Sequence, residues 1–124
     1  MVKRRGFTLI ELLVVLTLIA LLLTIALPRY FTSVERAKET ALRENLKVMR
    51  AMIDRYYADT GRYPEGLGEL VERHYLAAVP VDPITESATT WVTLPPREGD
   101  ARGVYDVKSG ASGKTHDGIA FDGL

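Results

Sequence analysis

Apolar side chains follow two different patterns along the first half of the chain. From Phe7 to Leu27, 21 consecutive positions carry no charge except Glu11. A run of about 20 apolar residues is long enough to span a bilayer as a helix. Further on, apolar residues recur at spacings of four and three, which places them on one face of a helix: Leu42, Leu46, Met49, Ile53 and Tyr56. The patterns therefore predict a uniformly apolar helical segment followed by an amphipathic one.

The two segments are predicted to form one continuous helix. No glycine or proline lies between residues 29 and 60, and the pair Thr60-Gly61 is typical of a helix C-terminus. We expect a transmembrane segment over 7–28 and an amphipathic segment over 29–60, together about 50 residues and about 75 Å long. Pro28 is predicted to kink or locally loosen the helix, because proline cannot donate a backbone hydrogen bond to the preceding turn.

The second face of the amphipathic segment is charged. Residues of opposite charge are spaced four apart in three pairs, namely Glu39 and Arg43, Arg50 and Asp54, and Arg55 and Asp59. Such pairs contribute only a few tenths of a kcal/mol on a solvated surface. We interpret this face as solvent-exposed, with a specific partner surface as the alternative.

Residues 61–124 are predicted to form a small globular part that covers the apolar stripe. A turn at Gly61-Arg62-Tyr63-Pro64 precedes a short helix, in which leucine and valine make a small apolar face: Leu67, Leu70 and Val71. Runs with high β-propensity follow and are bounded by Gly, Pro and Asp: Thr89–Leu94, Val104–Lys108 and Ile119–Phe121. We expect a small antiparallel sheet on the helix stripe, hence an α+β fold, with Trp91 and Tyr105 in its core.

Charge and cysteine content narrow the function classes. The 124 residues include 16 basic and 16 acidic side chains, but Lys3, Arg4 and Arg5 all precede the apolar run. From Arg29 onward, 13 basic and 15 acidic residues leave a balance of 13 − 15 = −2, so the basic footprint of nucleic-acid binding is absent. The chain has no cysteine, which excludes thiol catalysis, disulfides and cysteine-ligated metals.

The apolar run is predicted to be a retained membrane anchor. Its 21 residues exceed the roughly 7 to 15 of a signal-peptide core, and no A-x-A-like cleavage site follows it. The basic residues before it predict a cytoplasmic N-terminus, with everything after Leu27 outside the membrane. Glu11 is not explained by an anchor, because a charge at bilayer depth costs a few kcal/mol and usually marks a function.

The segment Gly6-Phe7-Thr8-Leu9-Ile10-Glu11, between a short basic leader and an apolar helix, resembles the prepilin processing motif of type IV pilins and type II secretion pseudopilins. The resemblance implies that a prepilin peptidase removes residues 1–6 by cutting after Gly6, that the new amino group of Phe7 is methylated, and that Glu11 acts in assembly. In a helical filament, Glu11 of one subunit could lie near the cationic amine of its neighbour and fix the axial register.

Nearly the whole chain is similar to the major pseudopilin of type II secretion systems, most clearly at residues 1–30 and then at residues 61–83. This resemblance implies a pilin-like fold and a structural, non-enzymatic subunit in the bacterial inner membrane, with a periplasmic C-terminal part, that polymerises into a periplasmic pseudopilus and drives protein export. The implied partners are other copies of the chain, minor pseudopilins, an inner-membrane assembly platform, the prepilin peptidase and membrane lipid.

The C-terminal tail also carries a candidate metal site. Residues 106–122 contain several hard oxygen ligands among glycines, with Asp117 and Asp106 the best candidates, and calcium accepts six to eight such oxygens. Major pseudopilins carry calcium in this region, but here the segment Gly113-Lys114-Thr115-His116 replaces an acidic stretch and brings in a positive charge. The alternative is that Asp117-Gly118 is simply a hairpin turn.

Two further functions compete with that of a secretion pseudopilin. A type IV pilin of a surface pilus, used for adhesion, motility or DNA uptake, would share the same assembly chemistry. A membrane-tethered periplasmic binding domain or enzyme would need neither Gly6 nor Glu11. No catalytic constellation supports the last reading, since His74 and His116 are isolated in the sequence.

Overall fold

A computed structural model describes residues 5–97 and 102–124 of the chain. The first element is helix α1, Leu9–Thr60, whose 52 residues make it the longest element of the described chain. The chain divides into two compact units, of which the first ends at Glu35 and the second runs from Arg36 to Leu124. The range of α1 confirms the predicted continuous helix, which starts two residues after the beginning of the apolar run.

The first unit is an apolar helix with no buried face. The leucine, isoleucine and valine side chains of the run are about half-exposed or more. By length and composition, α1 is able to cross a membrane, and none of the residues in its most apolar window is buried. Its polar side chains are satisfied locally, since Thr17 Oγ1 donates to Leu13 O at 2.7 Å. A helix of this kind is suited to lipid or to other apolar helices.

Proline lies inside α1 without ending it. The helix continues through Pro28, and the carbonyl of Pro28 accepts a hydrogen bond from Thr32 Oγ1 at 3.0 Å. The kink that the sequence predicts at Pro28 stays a prediction.

The second unit is built on the apolar stripe of α1. All five stripe residues predicted from the spacing are buried, from Leu42 to Tyr56. α1 ends at Thr60, and Gly61 takes a positive φ of 75° while its N–H donates to Tyr57 O at 2.8 Å. Helix α2, Leu67–Glu72, follows and buries Leu67 and Leu70. The core also includes residues from the later part of the chain: Leu76, Trp91, Val104, Val107, Ala111 and Phe121.

Two short strands form an antiparallel sheet. Strand β1, Val92–Leu94, pairs with strand β2, Asp106–Lys108, and Thr93 lies opposite Val107. The sheet confirms the predicted α+β class, but both strands are shorter than the sequence runs predicted. Before β1, serine and threonine side chains hydrogen-bond locally, since Thr89 N donates to Ser87 Oγ at 3.1 Å. Such local bonds compete with strand pairing.

The prediction of a third strand at Ile119–Phe121 is wrong. Ala120 makes only an isolated bridge with Lys114, and Phe121 begins a 3₁₀-helix, Phe121–Gly123. The burial of the Phe121 ring in the core favours this turn over an extended path. The prediction for Tyr105 is also wrong, because its side chain is 47% exposed and packs edge-on against Tyr63, whereas Trp91 is buried as expected.

A partly buried carboxylate joins the end of α1 to α2. Glu69 Oε1 accepts hydrogen bonds from Tyr56 Oη at 2.5 Å and Arg62 Nη2 at 2.8 Å, and Oε2 accepts one from Glu65 N at 2.7 Å. These donors, Tyr56 first, lower the pKa of Glu69 to about 2. The carboxylate is therefore held in its ionised form by the folded structure.

Glu69→Gln is expected to lower stability at pH 7 and to reduce its loss in acid. The folded pKa lies below the unfolded value of 4.5, so the contribution of Glu69 is present above about pH 4.5 and lost as pH falls toward 2. Allowing for partial exposure, this contribution is about 2 kcal/mol. The check is denaturant unfolding of the full chain in detergent, followed by Trp91 fluorescence, at pH 7 and 3. The exposed Glu72→Gln in the same helix is the control, and equal acid sensitivity of both variants would contradict the expectation.

Candidate assembly and processing site

The residues predicted for processing lie just before α1. Positions 5–8 have no regular secondary structure and are exposed, and Phe7 is 81% exposed. A Cβ atom added to Gly6 would meet no atom of the described residues within 4 Å. Packing within the described chain therefore does not require glycine at this position. Lys3 and Arg4, which carry the prediction of a cytoplasmic N-terminus, lie outside the described residues.

Glu11 belongs to a reciprocal capping arrangement at the start of α1. Glu11 N donates to Thr8 Oγ1 at 3.2 Å, and Thr8 N donates to Glu11 Oε2 at 3.3 Å. This is a capping box, in which the N-cap side chain and the residue three positions later satisfy each other's backbone N–H. It explains why the helix begins at Leu9 and not at Phe7.

The capping box also fixes where the Glu11 carboxylate lies. The carboxylate binds the backbone N–H of Thr8, the residue directly after Phe7. The negative charge also lies in the first turn, where it interacts favourably with the helix dipole. Thr8 was not recognised as functional from the sequence, although the spacing T-x-x-E before an apolar run carries that signal.

The structure places Asp106, one of the two candidate calcium ligands, against a cation. Asp106 Oδ1 accepts hydrogen bonds from Arg50 Nε at 2.8 Å and from Val107 N at 2.7 Å. The same guanidinium donates through Nη2 to Val107 O at 2.9 Å and Leu124 O at 2.6 Å. Arg50 therefore joins α1 to β2 and to the C-terminal residue, and its predicted partner Asp54 is not part of this network.

The other candidate ligand, Asp117, lies in a tight turn. Thr115 N donates to Ile119 O at 2.8 Å, Gly118 N donates to Thr115 O at 2.9 Å, and Gly118 has a φ of 81°. Asp117 contacts His116 Nε2 at 2.9 Å and Arg43 Nη2 at 3.6 Å. The turn that was the alternative to a metal site is thus present.

The contacts of Asp106 and Asp117 do not fit a calcium site. Each carboxylate is directed at a cationic side chain, whereas calcium needs six to eight free oxygens. No group of three or more acidic or histidine side chains within residues 5–97 and 102–124 is arranged to hold a metal ion. The calcium prediction therefore receives no support from the geometry.

His116 connects the turn to α1. Its backbone N–H donates to Glu39 Oε1 at 2.8 Å, and its ring Nδ1 lies 2.5 Å from Glu39 Oε2. The hydrogen bond from the His116 side chain lowers the pKa of Glu39, against the opposing effect of desolvation. The ring nitrogen Nδ1 is thus hydrogen-bonded to Glu39, and the other ring nitrogen, Nε2, lies close to Asp117 Oδ1.

A fully buried carboxylate organises the segment before β1. Asp82 is fully buried, and its Oδ1 accepts from Ile84 N at 2.8 Å while its Oδ2 accepts from Ser109 Oγ at 2.5 Å. Ser109 Oγ in turn accepts from Ala111 N at 3.1 Å. The role of Asp82 is therefore to tie its own segment to residues 109–111.

Comparison with known proteins places the N-terminal features in a family. Residues 1–27 match the family described as the prokaryotic N-terminal methylation motif. The chain is 31% identical to the type II secretion system core protein G of Pseudomonas aeruginosa over 97 residues, which cover 65% of this chain and 68% of that protein. It is 32% identical over 68 residues to the type IV major pilin protein PilA of Myxococcus xanthus, but these cover 55% of this chain and 31% of that pilin. No solved structure matches the chain.

The relationship to core protein G extends over both units. Identity to the core protein G of Escherichia coli is 30% over 141 aligned positions, which cover 98% of this chain and 93% of that protein. This chain therefore combines the methylation motif, the exposed apolar helix and the small covering sheet, and it aligns with core protein G over almost its whole length. On these grounds the protein belongs to the core protein G family of type II secretion systems, the major pseudopilins of the type IV pilin-like superfamily.

Proposed function

We propose that this pilin-type structural subunit polymerises into the periplasmic pseudopilus of a type II secretion system and so drives protein export across the outer membrane. The observation that carries the proposal is the relationship to core protein G over 98% of the chain, together with an apolar helix that has no buried face. Such a helix needs lipid before assembly and the apolar core of a filament afterwards. Proteins of this family are structural subunits, and none of the contacts described above forms a catalytic constellation.

The proposed maturation begins with removal of residues 1–6. A peptidase cuts after Gly6, and the new amino group of Phe7 is then methylated. The exposed, irregular backbone at positions 5–8 supports this step, because a peptidase must bind its substrate in an accessible, extended form. Gly6 has open space around it among the described residues, so the requirement for glycine is assigned to the peptidase.

The proposed assembly uses Glu11 and partners in the membrane. Before assembly, the segment 7–28 lies in the inner membrane with its N-terminus cytoplasmic and its C-terminal part periplasmic. There the subunit meets the prepilin peptidase, an assembly platform and minor pseudopilins, and Glu11 pairs with the Phe7 amine of a neighbouring copy. The position of Glu11 in the first turn of an exposed apolar helix supports this role, because an unpaired charge is costly in such surroundings.

Intact mass spectrometry of the protein purified from its native membrane tests the maturation. The mature chain is expected to begin at Phe7 and to carry one additional methyl group. A Gly6→Leu variant should keep residues 1–6, while Gly66→Ala, at a site with open space in α2's cap, should be processed normally. An uncut wild-type protein would contradict membership of the filament-forming class.

A surface type IV pilin is the second candidate function. The similarity of this chain to the M. xanthus major pilin favours it, although the match covers a smaller share of both chains. Deleting the gene and scoring both secreted proteins and surface filaments separates the two functions. Loss of secretion with no change in surface filaments supports the pseudopilus, and the reverse result supports the pilus.

A further inference from the structure

The C-terminal loop, defined here as residues 113–121, is held against α1 by charged side chains. Glu39 is a buried residue on α1, and it binds His116, 77 positions later in the chain. Both of its carboxylate oxygens are used, one by the backbone N–H and one by the ring Nδ1 of His116. A carboxylate that contacts the same residue twice fixes both the position and the direction of that residue.

The contacts continue from His116 across the loop. The second ring nitrogen lies 2.9 Å from Asp117 Oδ1, and Asp117 Oδ2 faces Arg43 Nη2 at 3.6 Å. Arg43 stands one helical turn after Glu39 on α1, so the chain of contacts starts and ends on the same helix. The four residues therefore form a continuous chain of contacts between α1 and the loop.

We propose that Glu39, His116, Asp117 and Arg43 form a metal-free clamp that fixes the C-terminal loop on α1, so that this subunit folds without calcium. The clamp is a feature of the folded subunit and holds for either candidate filament. It supplies the long-range link that disulfides or metals provide in many small exported domains, and this chain has no cysteine.

The contacts of the two clamp carboxylates argue against a bound metal ion at this position. Glu39 and Asp117 are the two carboxylates of the clamp, and three of their four oxygens lie within 3 Å of His116. The fourth oxygen faces the guanidinium of Arg43. A calcium ion would have to displace these partners and approach a fixed positive charge, which opposes binding.

The loop around the clamp is also closed by packing and backbone bonds. Thr115 is buried and binds Ile119 through both its backbone and its side chain, with Ile119 N donating to Thr115 Oγ1 at 3.2 Å. Phe121 N donates to Gly113 O at 3.2 Å, and the Phe121 ring enters the core. The loop is thus already shaped for docking, and the clamp sets where it docks.

The first test is calcium itself, with the full chain in detergent and Trp91 fluorescence as the measure of thermal unfolding. Extracellular calcium sites bind at about 10⁻⁴ to 10⁻³ M, so about 10 mM calcium chloride saturates such a site. We expect the midpoint with calcium to lie within about 2 °C of that with a chelator, after correction by an equal concentration of magnesium chloride. A larger calcium-specific rise overturns the metal-free clamp.

The second test is a double-variant cycle on the two residues with the shortest contact. Glu39→Gln and His116→Ala are each expected to lower the midpoint by about 5 °C. The double variant should unfold within about 2 °C of the less stable single variant, because both changes remove the same interaction. Matched controls are Glu44→Gln on the exposed face of α1 and Lys114→Ala in the same loop, which should leave the midpoint unchanged.

The cycle separates a clamp from two independent effects. If the two single shifts add in the double variant, Glu39 and His116 act separately and the proposal is overturned. Single variants that unfold at the wild-type temperature overturn it as well. Because Glu39→Gln keeps the volume of the buried side chain, its effect reports the lost interaction and not a cavity.

Discussion

Glu11→Gln is expected to abolish filament formation while the protein still enters the membrane and is still processed. Glutamine at the third helical position can accept the hydrogen bond from Thr8 N, so the capping box at the start of α1 is preserved. What the variant lacks is the negative charge. Any loss of assembly is then assigned to the charge and not to fraying of the helix.

The expected size of the effect follows from charge burial. In a filament core, the Phe7 amine of a neighbouring subunit would be left without its counter-ion. Removing one partner of a buried ion pair costs about 3 to 5 kcal/mol. Because about 1.4 kcal/mol corresponds to a tenfold change, the concentration needed for assembly would rise by about two to four orders of magnitude.

The measurement is electron microscopy and cross-linking of filaments in cells that carry the complete secretion system. Membrane fractionation and intact mass of the same samples show whether insertion and cleavage are unaffected. Glu35→Gln removes a charge from the same helix, but at an exposed position outside the apolar run, and should assemble normally. Filaments of normal abundance from Glu11→Gln would refute charge pairing as the assembly device.

Local patterns were sufficient to predict the helices. The stripe from Leu42 to Tyr56 is buried as its spacing indicated, because on a helix a repeat of three and four places side chains on one face. The end of α1 was predictable for a similar reason, since Gly61 adopts the positive φ that a helix C-terminus favours. Both signals act over a few residues, and the packing of the second unit reinforces them.

The contacts between α1 and the C-terminal part could not be predicted in the same way. Glu39 and Arg50 lie four residues from residues of opposite charge, and the sequence alone favoured those neighbours as partners. In the structure they bind His116 and Asp106, which are 77 and 56 positions away along the chain. A buried or bidentate partner stabilises more than an exposed i, i+4 neighbour, but sequence spacing does not reveal it.

The candidate site was predictable in its residues but only partly in its geometry. Gly6, Phe7 and Glu11 follow from a fixed local motif, and the capping of Thr8 by Glu11 was also encoded locally. The calcium site was argued from composition, which counts the oxygens of Asp106 and Asp117 but not their neighbours. Arg50 and Arg43 occupy the positions next to these carboxylates, and only the fold shows this.

Asp82→Ala is expected to destabilise the second unit more than any other single change considered in that unit. The side chain is fully buried and accepts hydrogen bonds from Ile84 N, Thr85 N and Ser109 Oγ. Alanine would leave these donors without an acceptor in the interior, at a cost of about 3 to 5 kcal/mol. The thermal midpoint should fall by more than about 10 °C, measured by Trp91 fluorescence of the full chain in detergent.

Comparison with Asp82→Asn distinguishes the need for an acceptor from the need for a charge. The asparagine carbonyl can still accept from Ile84 N, and the Ser109 hydroxyl can rotate to accept from the new amide. We therefore expect Asn to cost about 1 to 2 kcal/mol, well below Ala. Asp54→Ala, on the exposed face of α1, is the control for removal of a carboxylate.

Ser109→Ala completes the argument, because it removes only one of the donors. If Asp82 acts by satisfying buried donors, the Asp82→Ala and Ser109→Ala double variant should lose less stability than the sum of the single losses. Equal destabilisation by Ala and Asn at position 82 would instead assign the effect to the lost charge. Because the unit has no disulfide, the attachment of the Asp82 segment to Ser109 would then depend on an electrostatic contact and not on the hydrogen bonds of Asp82.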